Sequence, residues 1–506
     1  MPYKYTLLFW FVFCSKTVFS QFIPRSVDYA QEALRYSTPN FGVTARYQGL
    51  AGAQTAIGGD MGSLTGNPAG LGFFKRAEIS FSPTFYIGGS FTDYNGQLQE
   101  NYMPKMLFDN AGLVFSYTKD DEESGALRGV TVGFSYSRIN NYNRDILYNG
   151  ENTQNSLLDA FLAQSNGSTT VLNFENQRNS ISNLPALAYH SYLIRPTANT
   201  ANTATYFHDF QGQKIQQSER ILSEGRQSQW TLGTAVNISD RLYIGLSLGI
   251  QGIKTENRNE FTERSLQTNV LNNYTFTQRN EVSGIGFNST LGLIFRALNM
   301  FRVGVSATTP TYYEIYEQYG SEMSANFNNL NWKSTIVTQN NQKTNEGEFE
   351  YYLQTPWRFN VGSAIFLGKL GFLTADIEYV DFSSIFLRQR EDKSLFNAEN
   401  QRIIQRYQPT FNYRMGAELR YRSIRLRGGI ALYGDPTDAA KLPENFTRHL
   451  TAGIGLRNAN FFLDLALRNT YYIERYEPYQ LNSNQQPRIE IIHQEWYMSM
   501  SMGYFF

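Results

Sequence analysis

The apolar residues of this chain fall on alternate positions, segment after segment. In RLYIGLSLGIQG (241–252), Leu242, Ile244, Leu246, Leu248 and Ile250 share one parity, while Tyr243, Gly245, Ser247 and Gly249 take the other. GVTVGFSYS (129–137) sets Val130, Val132, Phe134 and Tyr136 against Thr131, Gly133, Ser135 and Ser137. Strict alternation puts all the apolar side chains on one face of a strand. Such segments recur at 78–88, 110–118, 128–139, 227–237, 241–252, 283–296, 300–308, 357–367, 371–380, 411–421, 424–433, 448–457, 461–469 and 494–506. Globular strands run to about five or six residues, whereas tilted membrane strands need ~9–11. The connections alternate without a break. Those at 89–109, 140–226, 253–282, 309–356, 381–410, 434–447 and 470–493 are long; 119–127, 238–240, 297–299, 368–370, 422–423 and 458–460 are short. A soluble sandwich has no reason to keep its short turns on one side, but an up-and-down barrel does. The spacing predicts an all-β, 14-stranded antiparallel transmembrane β-barrel over residues 77–506.

The aromatic residues agree with that geometry. Trp230, Trp357 and Trp496 begin descending strands on the outward parity, where an interfacial girdle belongs, and Phe301, Tyr421, Phe461 and Phe506 mark the opposite ends. In the last strand Trp496, Met498, Met500, Met502 and Tyr504 alternate with Ser499, Ser501, Gly503 and Phe505. The closing Phe506 resembles the signal read by barrel-assembly machinery, an expected partner together with outer-membrane lipids. No stretch after residue 20 is apolar enough to span as a helix. Residues 1–20, with Lys4 ahead of the apolar TLLFWFVFC (6–14), read as a signal peptide. The only cysteine, Cys14, lies there, so no disulfide or cysteine-bound metal is expected. Removing Lys4 and Lys16 takes the 44 basic residues to 42 against 44 acidic, which leaves no electrostatic footprint for nucleic acid.

Fourteen strands enclose more space than wall side chains fill. Residues 21–76 precede the first strand, lack alternation and are rich in glycine, so they are placed to fold back inside as a hatch. Within them GSLTGNPAGLGFFKR (62–76) carries a tight turn, Gly66-Asn67-Pro68-Ala69-Gly70. Pro68 biases Asn67 away from helix, and the flanking glycines permit close backbone packing.

GGDMGSLTGNPAGLGFF resembles the hatch of the FadL/TodX-type outer-membrane transporters, which carry long-chain fatty acids and aromatic hydrocarbons. Residues 284–315, 355–384 and 413–433 resemble hairpins of the same family. The resemblance implies an N-terminal hatch inside a fourteen-stranded barrel in a Gram-negative outer membrane. It implies passive, hatch-gated uptake of small hydrophobic molecules, with lateral release through the wall at the third strand, where Gly133 is the candidate gate residue. No cofactor is implied, and a monomer is expected. Some relatives instead serve a protein-secretion machine, which the long Asn- and Tyr-rich loops also suit.

Connection 140–226 is longer than the family leads one to expect. NSLLDAFLAQSNG (155–167) carries Leu157, Leu158, Phe161 and Leu162 at helical spacing, with Asn155 as cap and Gly167 as stop, and 182–194 suits a second short helix. Two arrangements follow: a lid of two packed helices, or helices flanking a greasy groove that captures cargo. Inward parity on strands nine to eleven gives Asp376, Glu378, Arg414, Glu418, Arg420, Arg425 and Arg427. The turn at 422–423 sets Glu418 opposite Arg427 and Arg420 opposite Arg425. Facing arginines need an acidic neighbour, and Asp28, Glu32 and Asp60 of the hatch are candidates; a solvated wall or a seat for a fatty-acid carboxylate are the other readings. His190, His208 and His493 lie in long connections and His449 starts a strand, none beside a nucleophile motif or metal spacing. No enzymatic activity is expected.

Overall fold

The computed structural model describes residues 28–38, 42–119, 125–198, 200–437, 445–481 and 485–506. The predicted signal peptide lies outside them. Fourteen antiparallel strands close into one barrel. They are β1 (Glu78–Tyr94), β2 (Gln97–Thr118), β3 (Leu127–Asn141, prolonged by Arg144–Asn152), β4 (Ile215–Ile238) and β5 (Leu242–Ser265). Next come β6 (Leu271–Leu298), β7 (Phe301–Thr308, prolonged by Tyr312–Trp332), β8 (Arg358–Phe366, preceded by Gly347–Gln354) and β9 (Gly371–Asp381, then Phe386–Arg388). The wall finishes with β10 (Pro409–Tyr421), β11 (Ile424–Tyr433), β12 (Thr447–Arg457), β13 (Phe461–Tyr476) and β14 (Ile489–Phe505). Each strand pairs with its sequence neighbours, and β1 pairs with β14 from Glu78↔Phe505 to Asp93↔Glu490, so the sheet has no edge.

The two parities see different surroundings. On β5, Leu246, Leu248 and Ile250 point outward, 45–57 % exposed, whereas Tyr243 and Ser247 are buried. On β14, Met498, Met502 and Tyr504 are exposed and Ser499 and Ser501 buried. A continuous belt of outward Leu, Ile, Val, Phe and Met around a closed wall is the surface of a barrel that faces lipid, because water would not tolerate so large an apolar patch. Trp230 and Trp357 stand outward in this belt, stacked on Phe134 and Phe359; Trp496 is half-buried. Among the described residues no helix is long and apolar enough to cross a membrane.

At the end that carries the long connections the wall continues well past the belt. β1 and β2 run on to a tight turn at Asn95-Gly96, both at positive φ, so most of connection 89–109 is strand. β5 and β6 do the same up to residues 266–270. In β7 and β8 the break falls at Pro310 and Pro356, and the gap is bridged by Thr355 N–H to Thr311 O at 3.1 Å and Thr311 N–H to Thr355 Oγ1 at 2.8 Å. The extension of β7 pairs with Gly347–Gln354 and with a further hairpin strand, Thr335–Lys343.

Helices fill the two ends of the space. α1 (Tyr29–Ser37) and α2 (Ala45–Gly49) precede β1, with 3₁₀ turns at Met61–Leu64 and Pro68–Phe73. α3 (Leu157–Ser165), α4 (Val171–Glu175) and α5 (Leu184–His190) sit in the longest connection, and α6 (Asn397–Arg406) in the one after β9. Ser156, and not Asn155, caps α3, through a capping box with Asp159. Asn155 turns instead to Gln485 O and Asn152.

Candidate functional site

The site is the lumen, and its main occupant is the chain's own leading segment. Asn67 caps the 3₁₀ turn Pro68–Phe73 by accepting Ala69 N–H at 3.1 Å. Its amide N–H groups donate to Thr55 O at 2.7 Å and to the wall carbonyls of Leu293 on β6 and Val305 on β7, both at 3.3 Å. The turn can come this close only because the wall offers no side chain there. A Cβ at Gly292 would lie 1.9 Å from Asn67 Oδ1, one at Gly245 2.3 Å from Ala69 N, and one at Gly304 2.0 Å from Thr55 O. Within the segment, Gly70 lies against Gly58, and Gly59 N–H donates to Gly70 O at 2.9 Å. Below the turn Phe73 stacks on Tyr243 at 3.9 Å, and Arg302 lies between the faces of Phe73 and Phe366, at 4.3 and 4.1 Å, while donating to Ile57 O.

The charged residues of β9–β11 join in the predicted register, Glu418↔Arg427 and Arg420↔Arg425. Glu418 accepts from Arg427 and Arg420, both at 2.7 Å, and Arg46 of α2 stands 3.6 Å away. Arg427 also donates to Asp464 on β13 at 2.6 Å. Arg425 turns to the rim, donating to Arg422 O and Ile424 O. Asp376 accepts Thr55 N–H and Oγ1–H at 2.9 and 2.7 Å. Glu378 accepts from Arg358 and Asn412, and Arg414 donates to Asn360. The contacts to the leading segment thus run from wall acids to Arg46 and Thr55. The segment's own acids go elsewhere: Asp60 accepts from Thr44 and Gly62, Glu32 pairs with Arg35, and Asp28 with Arg402 and Arg406. Arg420 and Arg427 find their carboxylates, Glu418 and Asp464, on the wall itself, and Arg425 is held by backbone carbonyls, so the band does not draw on the acids of the leading segment.

Gly133 pairs with Val114 on one side and Gly233 on the other, and a Cβ there would meet Leu64 of the leading segment at 3.4 Å. The register of β3 with β4 slips at two other places, between Leu127 and Gly129 beside the short turn and between Arg138 and Asn140 toward the opposite end. Leu157, Leu158, Phe161 and Leu162 are all buried, in one core with α5, Tyr274, Phe276, Met323 and Phe327. They close a cap over the strand extensions, and their side chains line no open groove; the stripe is absorbed by the extensions, which the sequence did not mark as strands.

α1 reaches the mouth at the end that carries the long connections. Tyr29 sits among Phe349, Tyr351 and Phe396 at ring-centre distances of 5.4–5.8 Å, and its hydroxyl donates to Glu317 at 3.0 Å. Arg35 lies over Tyr142 and donates to Ser223. Below α1 is a cavity of about 130 Å³ whose walls include Tyr36, Ser37, Gln54, Gln227, Gln229, Gln251, Asn288, Ile139, Arg358 and Arg414. Sequence reasoning missed Tyr29, Arg46, Gln54 and Arg302. The one signal pointing to such contacts was the run of inward glycines on the wall, which marks where something approaches but not what.

Comparison by sequence matches neither a protein-family model nor a curated protein. Among solved structures, a Pseudomonas aeruginosa FadL homologue superposes with a TM-score of 0.55 at 10 % identity, covering 92 % of this chain and 99 % of that one. The P. putida toluene transporter TodX gives a TM-score of 0.53 at 12 % identity over 92 % of this chain and 99 % of its own. With the closed fourteen-stranded wall and the helical segment inside it, the chain has the fold of the FadL- and TodX-type outer-membrane channels.

Proposed function

We propose that this protein is an outer-membrane channel for small hydrophobic molecules, and that residues 28–76 are its hatch. The observation that carries the reading is the pairing of an outward apolar belt with a lumen occupied by a segment of the same chain. That segment is seated at Asn67-Pro68-Ala69 on Gly245 of β5 and Gly292 of β6, at Thr55 on Gly304 of β7, and is held by hydrogen bonds from Asn67 to the carbonyls of Leu293 and Val305. A hatch held by a few hydrogen bonds and close backbone seats can shift without breaking the wall. Cargo enters past α1 at the outer mouth, and movement of the turn opens the way down. Lateral release is assigned to β3, at the slip between Arg138 and Asn140. Ile139 there is buried and lines the cavity, and the slip pairs with Ser228 and Gln227 just past Trp230, so a gap at this level would open the lumen at the edge of the apolar belt. Uptake of toluene, palmitate and benzyl alcohol by cells that lack other hydrocarbon channels tests the proposal. Expression should raise the initial rate of at least one, and rates equal to the empty-vector control for all three would refute it.

A further inference from the structure

The cavity below α1 is the wrong place for a bare hydrocarbon. Beside Val43, Ile139 and Pro356 its walls carry amides, hydroxyls and ions, and several of these are buried without a hydrogen bond in the protein. Both side-chain polar atoms of Gln54, the hydroxyls of Tyr36 and Ser37, and Nε of Arg414 are in this state, with each residue less than 7 % exposed. A buried polar group left unmatched costs about 1–3 kcal/mol, so these groups call for a polar occupant. The charges, in contrast, balance in number. Arg358 donates to Glu378 at 2.9 Å, and Arg414, which donates to Asn360, stands opposite Asp376 in the β9–β10 register, which leaves two cations against two anions. An anion entering here finds no net positive charge and meets Glu378 on the wall. It would also leave the Gln54 carbonyl without a donor, because a carboxylate only accepts.

We propose that this cavity holds the head group of the cargo, and that the head group is a neutral hydroxyl. A hydroxyl both donates and accepts, which suits the Gln54 amide and the Tyr36 and Ser37 hydroxyls together. The inference rests on the channel reading above and names the class of molecule it serves: an apolar body ending in an alcohol.

The test uses the full mature protein in lipid nanodiscs and three probes of one skeleton: toluene, benzyl alcohol and benzoate. Binding is read by saturation-transfer NMR, with empty nanodiscs subtracted. Two matched hydrogen bonds give benzyl alcohol an advantage of about tenfold or more over the other two. In Gln54→Leu and, separately, Ser37→Ala, that preference should shrink severalfold while the barrel keeps its heat-modifiable migration on gels. Benzoate binding most tightly, toluene binding as well as benzyl alcohol, or no specific binding of any probe would each overturn the head-group assignment. None of these results touches the channel reading, which falls only if uptake of hydrophobic compounds in cells is absent.

Discussion

A single methyl group at Gly292 should unseat the hatch turn. A Cβ there would lie 1.9 Å from Asn67 Oδ1 and 2.9 Å from Pro68 Cδ, whereas ordinary contact begins at 3.4 Å. Asn67 must then retreat by about 1.5 Å, the difference between 3.4 and 1.9 Å. That carries its amide beyond reach of Thr55 O, now at 2.7 Å, and of the two wall carbonyls at 3.3 Å. Orphaning a buried carbonyl costs about 1–3 kcal/mol, and disturbing the cap about 1 kcal/mol more. The sum, roughly 2–4 kcal/mol, shifts the balance between seated and unseated turn by about 30- to 1000-fold. The assay is protease protection of residues 42–76 in purified Gly292→Ala, alongside single-channel recording in planar bilayers; both faster cleavage and new open events are expected, with barrel migration on gels unchanged. The double variant Asn67→Ala/Gly292→Ala sharpens the test. Because both changes act on one contact, their combined effect should fall short of the sum by about 1 kcal/mol or more. Strict additivity, or wild-type protection in Gly292→Ala, would refute the argument that this glycine is the seat of the turn.

Three further outcomes follow from the outer end of the molecule. Asp28 pairs with Arg406 of α6 and Gln31 is exposed, so Gln31→Cys should react with a membrane-impermeant maleimide on intact cells; labelling only after lysis would place α1 on the wrong side. Leu158 is fully buried in the cap, and Leu158→Ala should cost that cap about 2–5 kcal/mol, seen as faster hydrogen exchange in 157–190 with the wall unchanged. Glu219 lies on β4 well outside the apolar belt that begins near Trp230, and burial pushes its carboxyl up to about 7 against the hydrogen bonds from Tyr148 and Tyr476. A raised folded value means its contribution is complete below the unfolded value of 4.5 and is lost as pH rises through about 7. Near-UV circular dichroism melts should therefore show the outer end more stable at pH 5 than at pH 8.5. Glu219→Gln should flatten that difference, and an unaltered pH slope in the variant would dismiss the carboxyl as its source.

Much of this architecture was legible from residue order alone. Alternation is visible wherever the two faces of a strand meet two different surroundings, so the lipid-facing part of all fourteen strands and their short turns could be read off, as could the register that sets Glu418 against Arg427. The same reason explains what was hidden. Beyond the belt both faces of β5, β6 and β7 meet water or other protein, the period-two signal fades, and continuing strand reads as loop. The fate of Leu158 and Phe161 then turned on partners such as Phe276 and Met323, contributed by those unseen extensions. The hatch contacts were out of reach for a different reason. Asn67 meets Val305, Thr55 meets Asp376 and Tyr29 meets Glu317 across hundreds of residues. Closure of the cylinder, and not any local preference, brings such pairs together. Residue order determined the wall and its two faces; the folded lumen alone decided which wall groups grip the leading segment and which are left for a guest.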